Sequence, residues 1–247
     1  MIVNIYAGHN PDGKIGSGKV GIINESTEAR KIKDYIMKMI LVKGYRPIDC
    51  TCNNALKLED INNTIINNCK LNDVDFSIGI HFTDNKSNDG CSVNISKWHK
   101  SVLRNMGDNI LKRMEYLGFN NNGRIPVFND PELDNIENLI IVNCCNIDSE
   151  KDCSIYNPID IATAISEGIG DTFGVRKVEV LYKVKVNVYK TAIRKTPGPD
   201  RPVSVDMRGN NIYKSYGTKL SIIEKKDNWG RLKSGEGWIN LSQTIRV

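Results

Sequence analysis

Histidine is scarce in this chain of 247 residues: there are three, His9, His81 and His99. Each can therefore be weighed on its own. No apolar run approaches the roughly 18 residues that a membrane span needs, so no membrane partner is expected. The opening Met1-Ile2-Val3-Asn4-Ile5-Tyr6 lacks a basic stretch and is too short for the apolar centre of a signal peptide. The expectation is synthesis in the cytosol, with any action outside it needing a separate exit. The seven cysteines are odd in number and show no Cys-x-x-Cys spacing. That pattern points neither to a disulfide framework nor to a zinc ribbon. Small buried thiols are the simplest reading. No internal repeat or low-complexity tract is present.

What is there is an ordinary globular balance, 40% hydrophobic and 26% charged. The length suits one large domain or two smaller ones. A net charge of +5 favours an anionic partner, wall polymer or nucleic acid, without choosing between them. No stacking motif supports nucleic acid.

Along the chain, Ile2–Tyr6 reads as a first strand, followed by a glycine-broken loop from Gly8 to Gly21. Glu25 then opens a helix with Ile32, Tyr35, Ile36, Met39 and Ile40 at helical spacing, ended by Gly44. Strands are expected over Pro47–Cys52, Val74–Phe82 and Leu139–Cys145. Further helices are expected over Leu58–Cys69, Trp98–Leu117 and Ile159–Phe173. Strands alternating with helices predict an α/β fold with a mostly parallel sheet flanked by helices. After about Lys177 the pattern changes to short β-like runs between turn clusters such as Thr196–Asp200 and Arg208–Asn211. A small all-β barrel is expected there, with a boundary near 175–182 and domains over 1–175 and 180–247.

His9 follows the first strand and His81 ends the third. Ligand sites in open parallel sheets gather at the carboxyl ends of strands, so both histidines can reach one crevice. Glu25, at the start of the first helix, faces the same edge. Two histidines and a glutamate suit a catalytic zinc site, where the metal acidifies a water and polarises a carbonyl. On spacing alone, polar residues satisfied near loops fit as well. His99 is read as such a residue, within a polar helix start.

A resemblance adds to this. Ala7-Gly8-His9-Asn10-Pro11, Gly21-Ile22-Ile23-Asn24-Glu25-Ser26-Thr27-Glu28 and Phe76-Ser77-Ile78-Gly79-Ile80-His81-Phe82 together resemble the zinc-dependent N-acetylmuramoyl-L-alanine amidases of the amidase-3 family. The resemblance runs from Met1 to about Gly174. It implies that His9, Glu25 and His81 are zinc ligands. It also implies hydrolysis of the amide between N-acetylmuramic acid and L-alanine of the peptidoglycan stem, as in endolysins and autolysins. In that family a late strand carries a catalytic Glu. The counterpart here is Ile140–Asp152, and Asn143 stands at the Glu position. An amide cannot shuttle a proton as a carboxylate does. The chain is therefore impaired, non-catalytic, or served by another carboxylate, with Glu137 and Glu150 nearest in sequence.

The tail resembles bacterial SH3 domains, through Tyr182–Tyr189 and the run Asn228-Trp229-Gly230-Arg231-Leu232 with Gly237-Trp238-Ile239. That implies binding to peptidoglycan of Gram-positive walls. Trp229 and Trp238 are then either wall contacts or core aromatics of the barrel. A phage-type lysin released from its host's cytoplasm onto the wall is the expectation that follows. A wall-binding protein with a degenerate amidase fold is the alternative.

Overall fold

The structure is a computed structural model and describes residues 1–84, 88–127, 129–175, 178–206 and 209–247. Lys177 and Arg208, named above at the change of pattern and in a turn cluster, lie outside them. The chain divides into two compact units, Met1–Met37 with Arg46–Val175, and Lys38–Tyr45 with Arg176–Val247.

The first unit contains strands β1 (Ile2–Ala7), β2 (Arg46–Asp49), β3 (Phe76–Thr83), β4 (Cys91–Ile95), β5 (Asn121–Arg124) and β6 (Leu139–Asn146). Its helices are α1 (Glu25–Val42), of which the residues up to Met37 belong to this unit, α2 (Glu59–Lys70), α3 (Val102–Tyr116), α4 (Pro131–Asn135), α5 (Glu150–Ile155) and α6 (Pro158–Phe173). The strand order is β2-β1-β3-β6-β4-β5. Four of the five pairings are parallel; β4 runs antiparallel to β6. The expectation of a mostly parallel sheet flanked by helices therefore holds.

Strand side chains alternate between faces, and register decides which meet. Tyr6 pairs with Gly79, Gly79 with Ile141, and His81 with Asn143. These residues and Leu139 share one face, where Tyr6, Leu139 and Ile141 pack with Ile61 and Ile65 of α2 and Leu133 of α4. On the opposite face Gly107 of α3 lies against Val93 and Ile140, and Gly168 of α6 against Ile110. Phe76 stacks on Phe173 with ring centroids 5.1 Å apart. Six of the seven cysteines are buried as free thiols and Cys153 is half-buried.

Two readings of elements need correction. The helix expected from Trp98 begins at Val102, so His99 precedes it rather than lying inside it. Trp98 is exposed, and the His99 ring is held in a turn: Nδ1 donates to the Ser96 carbonyl at 2.7 Å, and Arg104 Nε donates to Nε2 at 3.0 Å. The strand expected over Pro47–Cys52 is instead Arg46–Asp49, paired with β1 through Val3 and Pro47.

In the second unit, β7 (Tyr182–Val186), β10 (Lys219–Lys226), β11 (Trp229–Leu232), β12 (Trp238–Asn240) and β13 (Thr244–Arg246) form an antiparallel sheet ordered β12-β11-β10-β7-β13. A separate two-stranded ribbon joins β8 (Lys190–Ala192) and β9 (Tyr213–Ser215). Val184, Val186, Ile193, Ile222, Leu232 and Ile239 make its core. The β10–β11 hairpin closes on Asp227-Asn228, with Asp227 at φ 50°, as a tight two-residue connection requires.

Candidate metal centre

At the carboxyl end of β1 the chain leaves the sheet through Gly8, and its amide donates to the Ile80 carbonyl at 3.0 Å. A Cβ on Gly8 would fall 2.1 to 2.6 Å from three atoms of the His81 ring, so only glycine lets the two strand ends approach this closely. His9 follows in a left-handed conformation, φ 62°. A non-glycine residue there costs of order 1–3 kcal/mol and persists where its surroundings hold it. The holder is Arg30 of α1, whose Nη2 donates to the carbonyls of His9 and Cys52, each at 2.8 Å. Its Nε also donates to Asn53 Oδ1 at 3.1 Å.

Glu25 is the first residue of α1. Asn24 caps that helix, accepting from the Thr27 amide at 3.0 Å. Ser26 anchors the approach by donating to the Asn10 carbonyl at 2.7 Å and accepting from the Gly18 amide at 2.7 Å. The Glu25 carboxylate is thereby turned toward the strand ends. Its Oε1 lies 3.3 Å from His9 Nε2 and 3.6 Å from His81 Nδ1, and accepts the Phe82 amide at 3.1 Å. Its Oε2 accepts from the Lys19 amide at 3.2 Å.

His9, Glu25 and His81 each offer a ligand atom, and these atoms all lie within 4.8 Å of one another. The donor set is two imidazole nitrogens and a carboxylate oxygen, a set suited to zinc and other first-row metals. Glu25 is 5% exposed, whereas the His9 side chain is 37% exposed, so the cluster is closed on the protein side and open on the other. Burial disfavours the Glu25 charge, yet hydrogen bonding from His81 and His9 outweighs it and holds the carboxyl well below its usual range. Burial likewise disfavours the His81 imidazolium, but Glu132 and Glu25 outweigh it and push that pKa up to about 10.

Sequence reasoning overlooked Glu132. It lies on α4, 5% exposed, with Oε2 3.6 Å from His81 Nε2 and accepting the Tyr6 hydroxyl at 2.5 Å. Burial would raise its carboxyl; His81 and Tyr6 more than offset this and lower it. A signal was present in Asp130-Pro131-Glu132-Leu133, a capping Asp before a Pro at the first helical position. Asp130 Oδ1 indeed accepts the amides of Glu132 and Leu133, each at 2.9 Å. Glu137 and Glu150, the carboxylates nearest Asn143 in sequence, are both exposed.

Asn143 is half-buried and opposite His81 in the β3–β6 register, on the same face. Its Nδ2 donates to Ser92 Oγ at 3.1 Å and to Asn94 Oδ1 at 2.6 Å, both on β4. In the second unit, Trp229 and Arg231 lie on one face of β11, and Trp238 is opposite Arg231. The Arg231 guanidinium stands 5.9 Å from the centre of the Trp238 ring. Trp238 is 8% exposed and Trp229 half-buried, while Gly230 and Ile239 face the core side.

No family model and no curated protein matches the chain. Solved structures do. The catalytic domain of the CD27L endolysin targeting Clostridia difficile matches with a TM-score of 0.61 and 16% identity, over 70% of this chain and 98% of that one. The CwlD amidase from Clostridioides difficile, solved in complex with the GerS lipoprotein, matches with 0.59 and 18%, over 71% and 99%. The catalytic domain of CwlV, an N-acetylmuramoyl-L-alanine amidase from Bacillus (Paenibacillus) polymyxa, matches with 0.56 and 14%, over 71% and 99%. The fold is thus a mixed α/β fold like that of amidase catalytic domains.

Proposed function

We propose that this chain is a peptidoglycan hydrolase of the N-acetylmuramoyl-L-alanine amidase type, with zinc held by His9, Glu25 and His81. The observation that carries the reading is their convergence at the carboxyl ends of β1 and β3, in a fold shared with amidase catalytic domains. Zinc, when bound, supplies a Lewis acid that polarises a carbonyl and acidifies water. The chain's own residues hold the geometry: Gly8 admits His81, Arg30 clamps the carbonyl of His9, and Glu25 is turned inward from the start of its helix. The exposed edge of His9 leaves the cluster open to substrate.

The second unit is proposed to be an SH3-like module that holds the enzyme on Gram-positive wall, raising the local substrate concentration. Its antiparallel sheet with a small aliphatic core supports this, as does the half-buried Trp229 on the side away from Ile239, whereas Trp238 is buried. Asn143 favours a second reading, a wall-binding protein that keeps the site but does not turn over. The two separate on purified Gram-positive wall with zinc-loaded protein. Release of new L-alanine amino termini without new reducing ends supports the amidase. Binding with no release supports the second reading. Neither binding nor release overturns both.

A further inference from the structure

Resting on the metal-site reading, we propose that Glu132 is the positioning carboxylate of that site: it receives His81 Nε2 and fixes the ring with Nδ1 toward Glu25 and His9. A histidine has two ring nitrogens, and metal ligands of this type usually give the second to a carboxylate or carbonyl, which sets ring orientation and tautomer. His81 Nδ1 faces Glu25. His81 Nε2 is buried, with no hydrogen-bond partner within 3.5 Å among the described residues. The charged group it meets is Glu132 Oε2, a few tenths of an ångström farther out at 3.6 Å.

Glu132 is itself fixed. It sits in the first turn of α4 behind the Asp130 cap and Pro131, and the Tyr6 hydroxyl donates to the same Oε2. Tyr6 reaches that oxygen by lying across Gly79, where a Cβ would fall 2.4 Å from its hydroxyl. Two glycines, Gly8 and Gly79, thus clear the path for a chain of contacts from Tyr6 through Glu132 to His81.

Charge balance points the same way. Glu25 and Glu132 are two carboxylates, each 5% exposed. Among the described residues, the side chains within hydrogen-bond or ion-pair distance of them are Tyr6, His9 and His81. Buried charge is costly unless it is paired or binds a metal. A divalent cation among the three ligands matches the two negative charges with the imidazoles neutral.

The test uses the full chain, stripped of metal, with zinc affinity measured by competition against a chromogenic chelator. Glu132→Gln, nearly isosteric, is expected to weaken zinc binding about 10–100-fold. Tyr6→Phe, which removes the hydroxyl and keeps the ring, is expected to weaken it several-fold. In zinc-loaded protein labelled with nitrogen-15, the His81 Nε2–H resonance should move in both variants, which a purely structural role would not require. Zinc affinity within twofold of the parent in Glu132→Gln, or in Tyr6→Phe should the first variant not fold, overturns the proposal. If the parent holds no stoichiometric zinc, or His81→Ala binds as the parent does, the metal-site reading itself fails.

Discussion

Placing a carboxylate at position 143 tests the proposal that this position belongs to the catalytic base. Asn143 lies opposite His81 on the face that carries the candidate metal centre. Its amide donates both hydrogens to β4, to Ser92 Oγ and Asn94 Oδ1. In Asn143→Glu neither donation survives. The Ser92 hydroxyl can turn and donate to the new carboxylate. Asn94 cannot easily do so, because its own Nδ2 is committed to the Ile125 carbonyl at 2.7 Å. One acceptor is left facing a negative charge, a loss of about 1–3 kcal/mol. The added methylene costs about as much if the strands cannot shift, although water reaches this half-buried position and softens both effects. For a protein of this size a destabilisation of about 1–3 kcal/mol lowers Tm by roughly 2–12 °C. Against this, a general acid–base group contributes about 10²–10⁴-fold in rate. The expected result is therefore a less stable, faster enzyme, while zinc stays bound because position 143 is not a ligand. The assay is release of L-alanine amino termini from purified wall at equal zinc occupancy, with Tm followed in parallel. If the parent already turns over at an ordinary amidase rate and Asn143→Glu leaves it unchanged, the assignment of this position is wrong.

Three further outcomes are expected. Purified protein should bind about one zinc per chain, and His9→Ala and His81→Ala should each lose most of it by metal analysis; full retention in both would dismiss the site. Gly8→Ala drives a methyl into the His81 ring, so zinc affinity should fall at least about tenfold while far-ultraviolet dichroism shows the sheet intact; unchanged affinity would mean the ring has another place to go. Residues 1–175 and 180–247 should each unfold cooperatively when made separately. The second should pellet with Gram-positive wall, less so as Trp229→Ala, and a folded tail that stays in solution with every wall tried refutes its assigned role.

Much of the first unit could be read from the sequence because its long elements carry strong periodicity. The α1 helix shows Ile32, Ile36 and Ile40 on one side, all fully buried, β3 carries Phe76, Ile78, Ile80 and Phe82 at alternate positions, and β6 opens on the apolar run Leu139-Ile140-Ile141-Val142. His9, Glu25 and His81 are legible for a related reason: each lies near or just beyond an end of such an element, and strand ends are where sites form. What was missed is short. The β5 sequence Asn121-Asn122-Gly123-Arg124 has no apolar residue, and β4 is five residues long. Both are edge-side additions to the sheet, fixed by pairing and not by propensity. Glu132 was missed because its partners, Tyr6 and His81, are 126 and 51 positions away, and only the register of β1, β3 and α4 brings them together. In the tail, turn chemistry marked the all-β character, but the split into a five-stranded sheet and a separate ribbon follows from tertiary pairing.

The left-handed backbone at His9 bears on how this protein can be improved. Glycine or asparagine would occupy φ 62° with less strain, so His9→Gly or His9→Asn eases the backbone of the metal-free chain while taking a partner from the buried Glu25 carboxylate. A selection for an unstrained backbone alone would therefore discard a proposed ligand. Natural optimisation faces the same conflict, in which function holds a residue that stability would replace. Arg30 eases the conflict from outside by gripping the His9 carbonyl, whatever side chain position 9 carries. Heat-resistant variants should therefore be sought first among substitutions that leave both residues in place.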